Sequence, residues 1–178
     1  TEVFFDNFSH NGLSGSADLT VGPTRAGVTR VGDGVYNREA SKQSFEVDAK
    51  YDETAEVFFG LQNEGAGAGS FKLRGTVAGS SKIGVVNFLY QGRGKSNVTA
   101  SLRTGTAELS LDGGDNVVIS SEASLKPNVR TQMSRLRGRY VNAGQSLSVS
   151  AVGGSAALDA VKADFRFESA IPATRRGR

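Results

Sequence analysis

Between residues 44 and 76, hydrophobic and polar positions alternate with the period of a β-strand. Phe45, Val47, Ala49 and Tyr51 are interleaved with Glu46, Asp48 and Lys50. Side chains two apart share one face of a strand, so this piece has an apolar face and a charged face. Residues 54–61 are apolar almost throughout and rich in β-branched and aromatic types, the composition of a strand buried on both faces. Residues 70–76 set Phe71 and Leu73 on one side and Lys72 and Arg74 on the other. A polar turn at 51–54 joins the first two segments, and residues 63–69, which join the last two, are too glycine-rich for helix. The pattern predicts an antiparallel β-protein.

The same period extends in both directions. Residues 1–8 form a short apolar strand pattern with Val3, Phe4, Phe5 and Phe8, followed by a glycine–serine linker at 10–16. Such a strand needs a partner for its backbone groups, on its own domain or on a neighbour's sheet edge. Residues 17–22 open the domain, and 28–36 are an irregular piece with a turn at Gly32-Asp33-Gly34. Further strands are expected at 82–90, at 97–104 with Val98, Ala100 and Leu102 inward, and at 106–111, 116–121, 146–152 and 160–168. Asp112-Gly113-Gly114-Asp115 has the composition of a hairpin turn and is expected to pair the strands beside it. Residues 127–140 differ: Met133, Leu136 and Tyr140 have helical spacing among Arg130, Arg135, Arg137 and Arg139, which suits a short helix or an extended basic loop alike. About nine or ten short strands separated by glycine turns make an all-β sandwich. Its expected boundaries are 1–16 for the first strand and linker, 17–169 for the sandwich and 170–178 for a basic tail.

Composition narrows the chemistry. At 178 residues, with 23 glycines and three prolines, the chain suits one sandwich with an extension, or at most two small domains. It has no cysteine, which excludes thiolate nucleophiles, Cys-bound zinc and iron–sulfur clusters. A chain of this length buries a core without disulfides, so the compartment stays open on this ground. The sequence begins at Thr1, shows no basic–apolar leader and has no apolar run long enough to span a membrane. A processed, secreted form is the expectation, and a trimmed chain is the other reading. The net charge of +3 hides a polarity: residues 1–64 hold 11 acids and 5 bases, and residues 65–178 hold 7 acids and 16 bases. Two such regions can meet within one fold, or they can steer copies together head to tail.

Several short motifs follow one another in a definite order. They are Asp18-Leu19-Thr20-Val21-Gly22, Gln62-Asn63-Glu64-Gly65, Ser70-Phe71-Lys72-Leu73-Arg74-Gly75, Asn87-Phe88-Leu89-Tyr90, Asn97-Val98-Thr99-Ala100 with Gly105-Thr106, and Asp159-Ala160-Val161-Lys162-Ala163. Together, over residues 17–168, they resemble the immunoglobulin-like modules of bacterial surface and secreted proteins known as CARDB-like or planctomycete-type repeats. The resemblance implies an extracellular immunoglobulin-like sandwich with a structural or adhesive role. The arginine-rich segment, the first strand and the RRGR tail lie outside the pattern. The family's modules usually occur in tandem, and one copy is present here.

Candidate chemistry is sparse. His10 is the one histidine and sits in the linker, without the partner set that catalysis or metal binding requires. Asp112 and Asp115 can offer oxygens to calcium, though an ordinary turn explains them as well. Residues 91–96, QGRGKS, lack the spacing of a phosphate loop, and no helix is expected after them. Asn7-Phe8-Ser9 and Asn97-Val98-Thr99 fit the glycosylation sequon. Arg130, Arg135, Arg137 and Arg139, with Arg175, Arg176 and Arg178, are the best candidates for binding an anion, against the plain alternative of a solvated basic loop. Only Tyr140 is interleaved with them, so base stacking is not indicated and nucleic acid is not favoured.

These readings converge on a non-enzymatic structural subunit of an extracellular or cell-surface filament or sheath, with no cofactor. Val3, Phe4, Phe5 and Phe8 would be donated to the next copy. One alternative is a monomeric secreted adhesin or carbohydrate-binding module, although the absence of Trp counts against an aromatic platform. The other is a capsid-like protein with a basic arm facing nucleic acid. The expected partner is a further copy of the chain, with acidic polysaccharide as a second possibility.

Overall fold

A computed structural model describes residues 16–171 except 27–29, 37, 39, 41–42, 92–93 and 155–157. The N-terminal strand with Val3, Phe4, Phe5 and Phe8, the linker His10, and Arg175, Arg176 and Arg178 lie outside the described residues. The elements are β1 (Ala17–Gly22), β2 (Ser44–Lys50), β3 (Thr54–Asn63), β4 (Gly69–Ala78), β5 (Ile83–Gln91), β6 (Gly94–Asn97), α1 (Thr99–Thr104), β7 (Ala107–Leu111), β8 (Asn116–Leu125), α2 (Pro127–Met133), β9 (Tyr140–Ala151) and β10 (Asp159–Glu168).

The strands form two five-stranded sheets. The first has the order β1-β3-β8-β5-β6 and the second β2-β10-β9-β4-β7. All strand pairs are antiparallel except β2 and β10, which run parallel with Ser44 opposite Lys162 and Lys50 opposite Glu168. Two stacked sheets joined by repeated crossings are the immunoglobulin-like sandwich that the strand count suggested. The alternation in β2 holds, with Phe45, Val47 and Ala49 half-buried and the residues between them exposed. In β3 the expectation of burial on both faces holds only from Val57 onward, because Thr54 and Glu56 face solvent.

Two expectations are corrected. The first concerns the Asp112–Asp115 turn, which does not close a hairpin. It carries the chain from β7 in the second sheet to β8 in the first, because β7 pairs with β4 and β8 with β3. The turn is held at this corner by Gly114 N–H donating to Asn63 O (2.7 Å) and Asn63 N–H donating to Asp115 O (2.9 Å). A Cβ on Gly113 would come within 2.5 Å of Gly65 O, so only glycine lets the two turns approach this closely.

The second concerns residues 97–104. Only Asn97 remains in a strand, the short β6, and Thr99–Thr104 is helical. Asn97 Oδ1 accepts from Thr99 N–H (3.0 Å) and starts the turn. Gly105, at φ 68°, ends it in the left-handed conformation. Val98 and Leu102 are four apart and fall on one helical face, with Leu102 fully buried and Ala100 left exposed. A helix thus does follow the QGRGKS segment, beginning two residues beyond β6.

The core lies between the sheets. Phe59, Phe71, Phe165 and Phe167, each at most 1% exposed, interdigitate with Leu19, Leu61, Leu73, Leu125 and Leu147. Each such side chain stabilises the fold by about 2–3 kcal/mol through burial. Among the polar links that cross this core, Asn87 Oδ1, on the first sheet, accepts from Gln145 Nε2 on the second (2.7 Å) and from Ser121 Oγ.

Asn63 ties the corner where the β3–β4 and β7–β8 connections meet. It is fully buried. Its Nδ2 donates to Gly67 O and Leu111 O, both at 2.9 Å, and its Oδ1 accepts from Gly65 N–H at 3.0 Å. An Asn63→Ala change leaves those backbone groups without partners, and each such loss costs about 1–3 kcal/mol. We expect urea unfolding to show a loss of about 2–4 kcal/mol, against under about 0.5 kcal/mol for Asn116→Ala on the exposed end of β8. Equal effects at the two asparagines would refute this role for Asn63.

Candidate functional site

Strand order places the connections at two ends of the sandwich. The β3–β4, β7–β8 and β9–β10 connections gather at one end with the 31–36 segment. The β2–β3, β4–β5 and β8–β9 connections gather at the other. The first end carries Asp33, Glu64, Asp112 and Asp115, all exposed, with Asp18 and Asp159 buried just beneath. The second carries Lys82, Arg103, Lys126, Arg130, Arg135, Arg137 and Arg139, all exposed, against Asp52 and Glu53. The fold thus has an acidic end and a basic end, although Asp112 and Asp115 come from the net-basic part of the sequence and Asp52 and Glu53 from the net-acidic part.

The basic segment is a short helix followed by a loop, so both sequence readings are partly realised. Pro127 occupies the first turn of α2, where its missing N–H costs nothing. Met133 is buried, while Leu136 and Tyr140 are more than two-fifths exposed, so the helical spacing stops at Met133. The loop is laced to the chain after β10: Gly138 N–H donates to Ile171 O (2.7 Å), Ser169 N–H to Arg139 O (2.9 Å) and Ala170 N–H to Met133 O (3.2 Å). Backbone ties thus present Arg130, Arg135, Arg137 and Arg139 together, and none of the four is ion-paired among the described residues.

At the acidic end, the 31–36 segment folds over β1. Val21 and Val31 exchange backbone hydrogen bonds at 2.9 and 2.8 Å. Gly32, at φ 108°, lies where a Cβ would meet Leu19 O at 2.5 Å. This cover buries Asp18, which alternates with the core residues Ala17 and Leu19 along β1. Asp18 Oδ2 accepts from Gly34 N–H (3.1 Å), while Oδ1 is buried without a hydrogen-bond partner. Burial, above all, pushes the Asp18 carboxyl up to about 7, and Glu64, Asp159 and Asp33 add to it. Beside it Tyr36 donates its hydroxyl to Glu64 Oε2; burial and this bond push the phenol up to about 12. Asp159 is differently placed, accepting from Leu19 N–H (2.7 Å), Ala160 N–H (2.8 Å) and Gln43 Nε2 (3.3 Å). Asp112 and Asp115, the sequence candidates for calcium, flank the corner turn. Among the described residues the acids that converge are instead Asp18, Asp33 and Glu64.

A second surface lies on the outer face of the first sheet. Register aligns Phe58, Ser120, Phe88 and Asn97 in one row, and Thr20, Gly60, Val118, Tyr90 and Lys95 in the next. Phe58, Phe88 and Tyr90 are half-buried. Lys95 Nζ sits 3.9 Å from the Phe88 ring centre, and the Arg25 guanidinium 4.1 Å from that of Tyr90. Lys95 also pairs with Glu122 at 2.8 Å, and this bond raises its pKa. Arg30 crosses Gly60, where any side chain would strike it, and donates to Arg25 O (2.8 Å). Burial lowers the Arg30 pKa. A cleft of about 380 Å³ opens here, lined among others by Arg25, Arg30, Asp33, Gln62 and Asn116. The sequence reading missed this aromatic and basic surface because its rings come from β3 and β5, which β8 separates. The outer face of the second sheet, by contrast, neutralises itself through Lys162–Asp164 at 2.7 Å and Arg166–Asp48 at 3.5 Å.

No protein-family model and no curated protein matches the chain. Among solved structures, the N-terminal domain of PorA is similar over 84% of this chain and 96% of that one, at 13% identity and TM-score 0.42. A FixG-related protein from Vibrio parahaemolyticus matches over 86% and 96%, at 8% identity and TM-score 0.39. A cohesin–dockerin complex from Clostridium thermocellum matches over 69% of this chain and 89% of that one, at 15% identity and TM-score 0.42. At these scores the similarities assign neither a family nor an activity.

Proposed function

We propose that this chain is a non-enzymatic structural module of a cell-surface or extracellular assembly, docking end to end with further copies. The observation that carries this reading is the separation of charge between the two ends of the sandwich. Exposed Arg130, Arg135, Arg137 and Arg139 at one end, not ion-paired among the described residues, complement Asp33, Glu64, Asp112 and Asp115 at the other. A head-to-tail contact of this kind does not close on itself, so repetition gives a fibre. Charge steers such an encounter and sets its direction.

In the same reading, residues 1–8 add a strand to a neighbour's sheet. The edges of the second sheet, β2 and β7, are the places that suit it. Their inward residues Phe45, Val47 and Ala49, and Ala107, Leu109 and Leu111, are only half-buried, so an added strand carrying Val3, Phe4, Phe5 and Phe8 gains apolar burial there.

Light scattering tests the docking. The wild-type chain should associate at low salt and disperse near about 1 M salt, where charge is screened beyond about 3 Å. Arg130→Glu with Arg137→Glu should abolish association, as should Asp112→Lys with Asp115→Lys. Mixing the two variants should restore a heterologous complex through the one unaltered contact. A wild-type chain that stays monomeric at low salt, or variants that fail to complement, would overturn the reading. Removal of residues 1–11 should shorten the assemblies if the first strand contributes, and leave them unchanged if it does not.

The outer face of the first sheet favours a second reading, a module that binds acidic polysaccharide. Arg25 and Lys95 stacked on Tyr90 and Phe88 supply charge and flat apolar surface side by side. Tyr90→Ala should weaken binding to a uronic-acid polysaccharide by about tenfold, the equivalent of 1.4 kcal/mol. No binding by the wild-type chain would remove this reading.

A further inference from the structure

We propose that Asp18, Asp33 and Glu64 form a calcium site that clamps the 31–36 segment to β1 and the end of β3. One carboxylate oxygen from each residue lies within 4.8 Å of the others. Oxygens arranged about 2.3–2.6 Å around one calcium ion stand up to about 5 Å apart, so three carboxylate oxygens this close are compatible with one ion. The donor set is oxygen only and carries three formal negative charges. No lysine or arginine is ion-paired with any of the three among the described residues.

A separate observation points to a missing cation. Asp18 is 0% exposed, and its Oδ1 has no hydrogen-bond partner. A buried carboxylate oxygen left bare is costly, and a hard cation at this cluster compensates it directly. The ligands are also held in place beforehand, although they come from three distant parts of the sequence. Val31 is bonded to Val21, Glu64 N–H donates to Ser16 O at 2.7 Å, and Gly34 N–H donates to Asp18 Oδ2 at 3.1 Å. Little ordering remains to oppose binding. Asp33 also lines the cleft beside Arg30, so the ion would fix one wall of the first sheet's outer surface. The inference rests on neither reading of function given above; a bound ion would leave Asp112 and Asp115 as the acids that face the arginines of a docking copy.

The experiment uses the full chain, freed of metal by a chelator, titrated with calcium chloride by calorimetry and with terbium by luminescence. Tyr36 donates to Glu64 and so lies close enough to sensitise terbium. We expect one site, calcium binding more tightly than magnesium, and a melting temperature that rises with calcium as mass action requires. Asp33→Asn and Glu64→Gln alter exposed residues and should fold; each should weaken calcium binding by about tenfold or more, and Tyr36→Phe should dim the terbium signal. Asp112→Asn with Asp115→Asn should leave binding unchanged. No calcium heat and no terbium emission would overturn the proposal. So would binding that survives both Asp33→Asn and Glu64→Gln, or that disappears only with Asp112→Asn and Asp115→Asn.

Discussion

Every crossing between two stacked sheets leaves backbone groups at a corner where no ladder can satisfy them, and this fold crosses at almost every connection. β2, β3 and β4, consecutive in the chain, lie in the second, first and second sheets. Asn63 resolves the most crowded of these corners. With its backbone and side chain it binds the β3–β4 connection, the end of β7 and the β7–β8 turn at once. A buried side-chain amide can serve two carbonyls and an N–H without a water, and asparagine is short enough to do so from within the strand. Gly113 is what lets the two turns touch, and Gly114 supplies the positive φ, 84°, that the turn needs.

Strands were legible in the sequence because a half-buried strand must alternate, and β2, β4 and β10 do so. Sheet membership was not legible. The turn at Asp112-Gly113-Gly114-Asp115 has the same chemistry whether it closes a hairpin or rounds a corner, and only the partners of β7 and β8 decide between them. The misassigned helix has a similar origin. Val98 and Leu102 are apolar at a spacing that satisfies both a strand and a helical turn, and only the burial of Leu102 with the exposure of Ala100 separates the two. Asn97 and Gly105 were the local signals for helix, and they weigh little beside a longer apparent alternation.

The candidate surfaces were less legible still, because each is assembled across the fold. Asp18 reads as the polar half of a strand and becomes buried only when residues 31–36 fold over it. Phe58, Phe88 and Tyr90 look like core positions in their own strands and emerge as a surface only once β8 brings β3 and β5 to either side of it. The charge imbalance between the two halves of the sequence was visible, but its spatial form was not. The connections that carry acids and those that carry bases happen to fall at opposite ends because antiparallel strands alternate direction. The arginines of the basic segment were the easiest to see, since Arg130, Arg135, Arg137 and Arg139 lie on one short stretch of chain.

The path of the chain has a mechanical meaning. Ser16 leads into β1 at the acidic end, and β10 runs out toward Ile171 at the basic end, so the two limits of the described chain lie at opposite poles. A pull between them runs along the strands. β10 is flanked by β9 over ten paired positions and by the parallel β2 over seven, and tension along its length loads these ladders in shear. Their hydrogen bonds must then yield together instead of opening one after another like a zip. A module strung in series through its two poles would carry load in its stiffest direction.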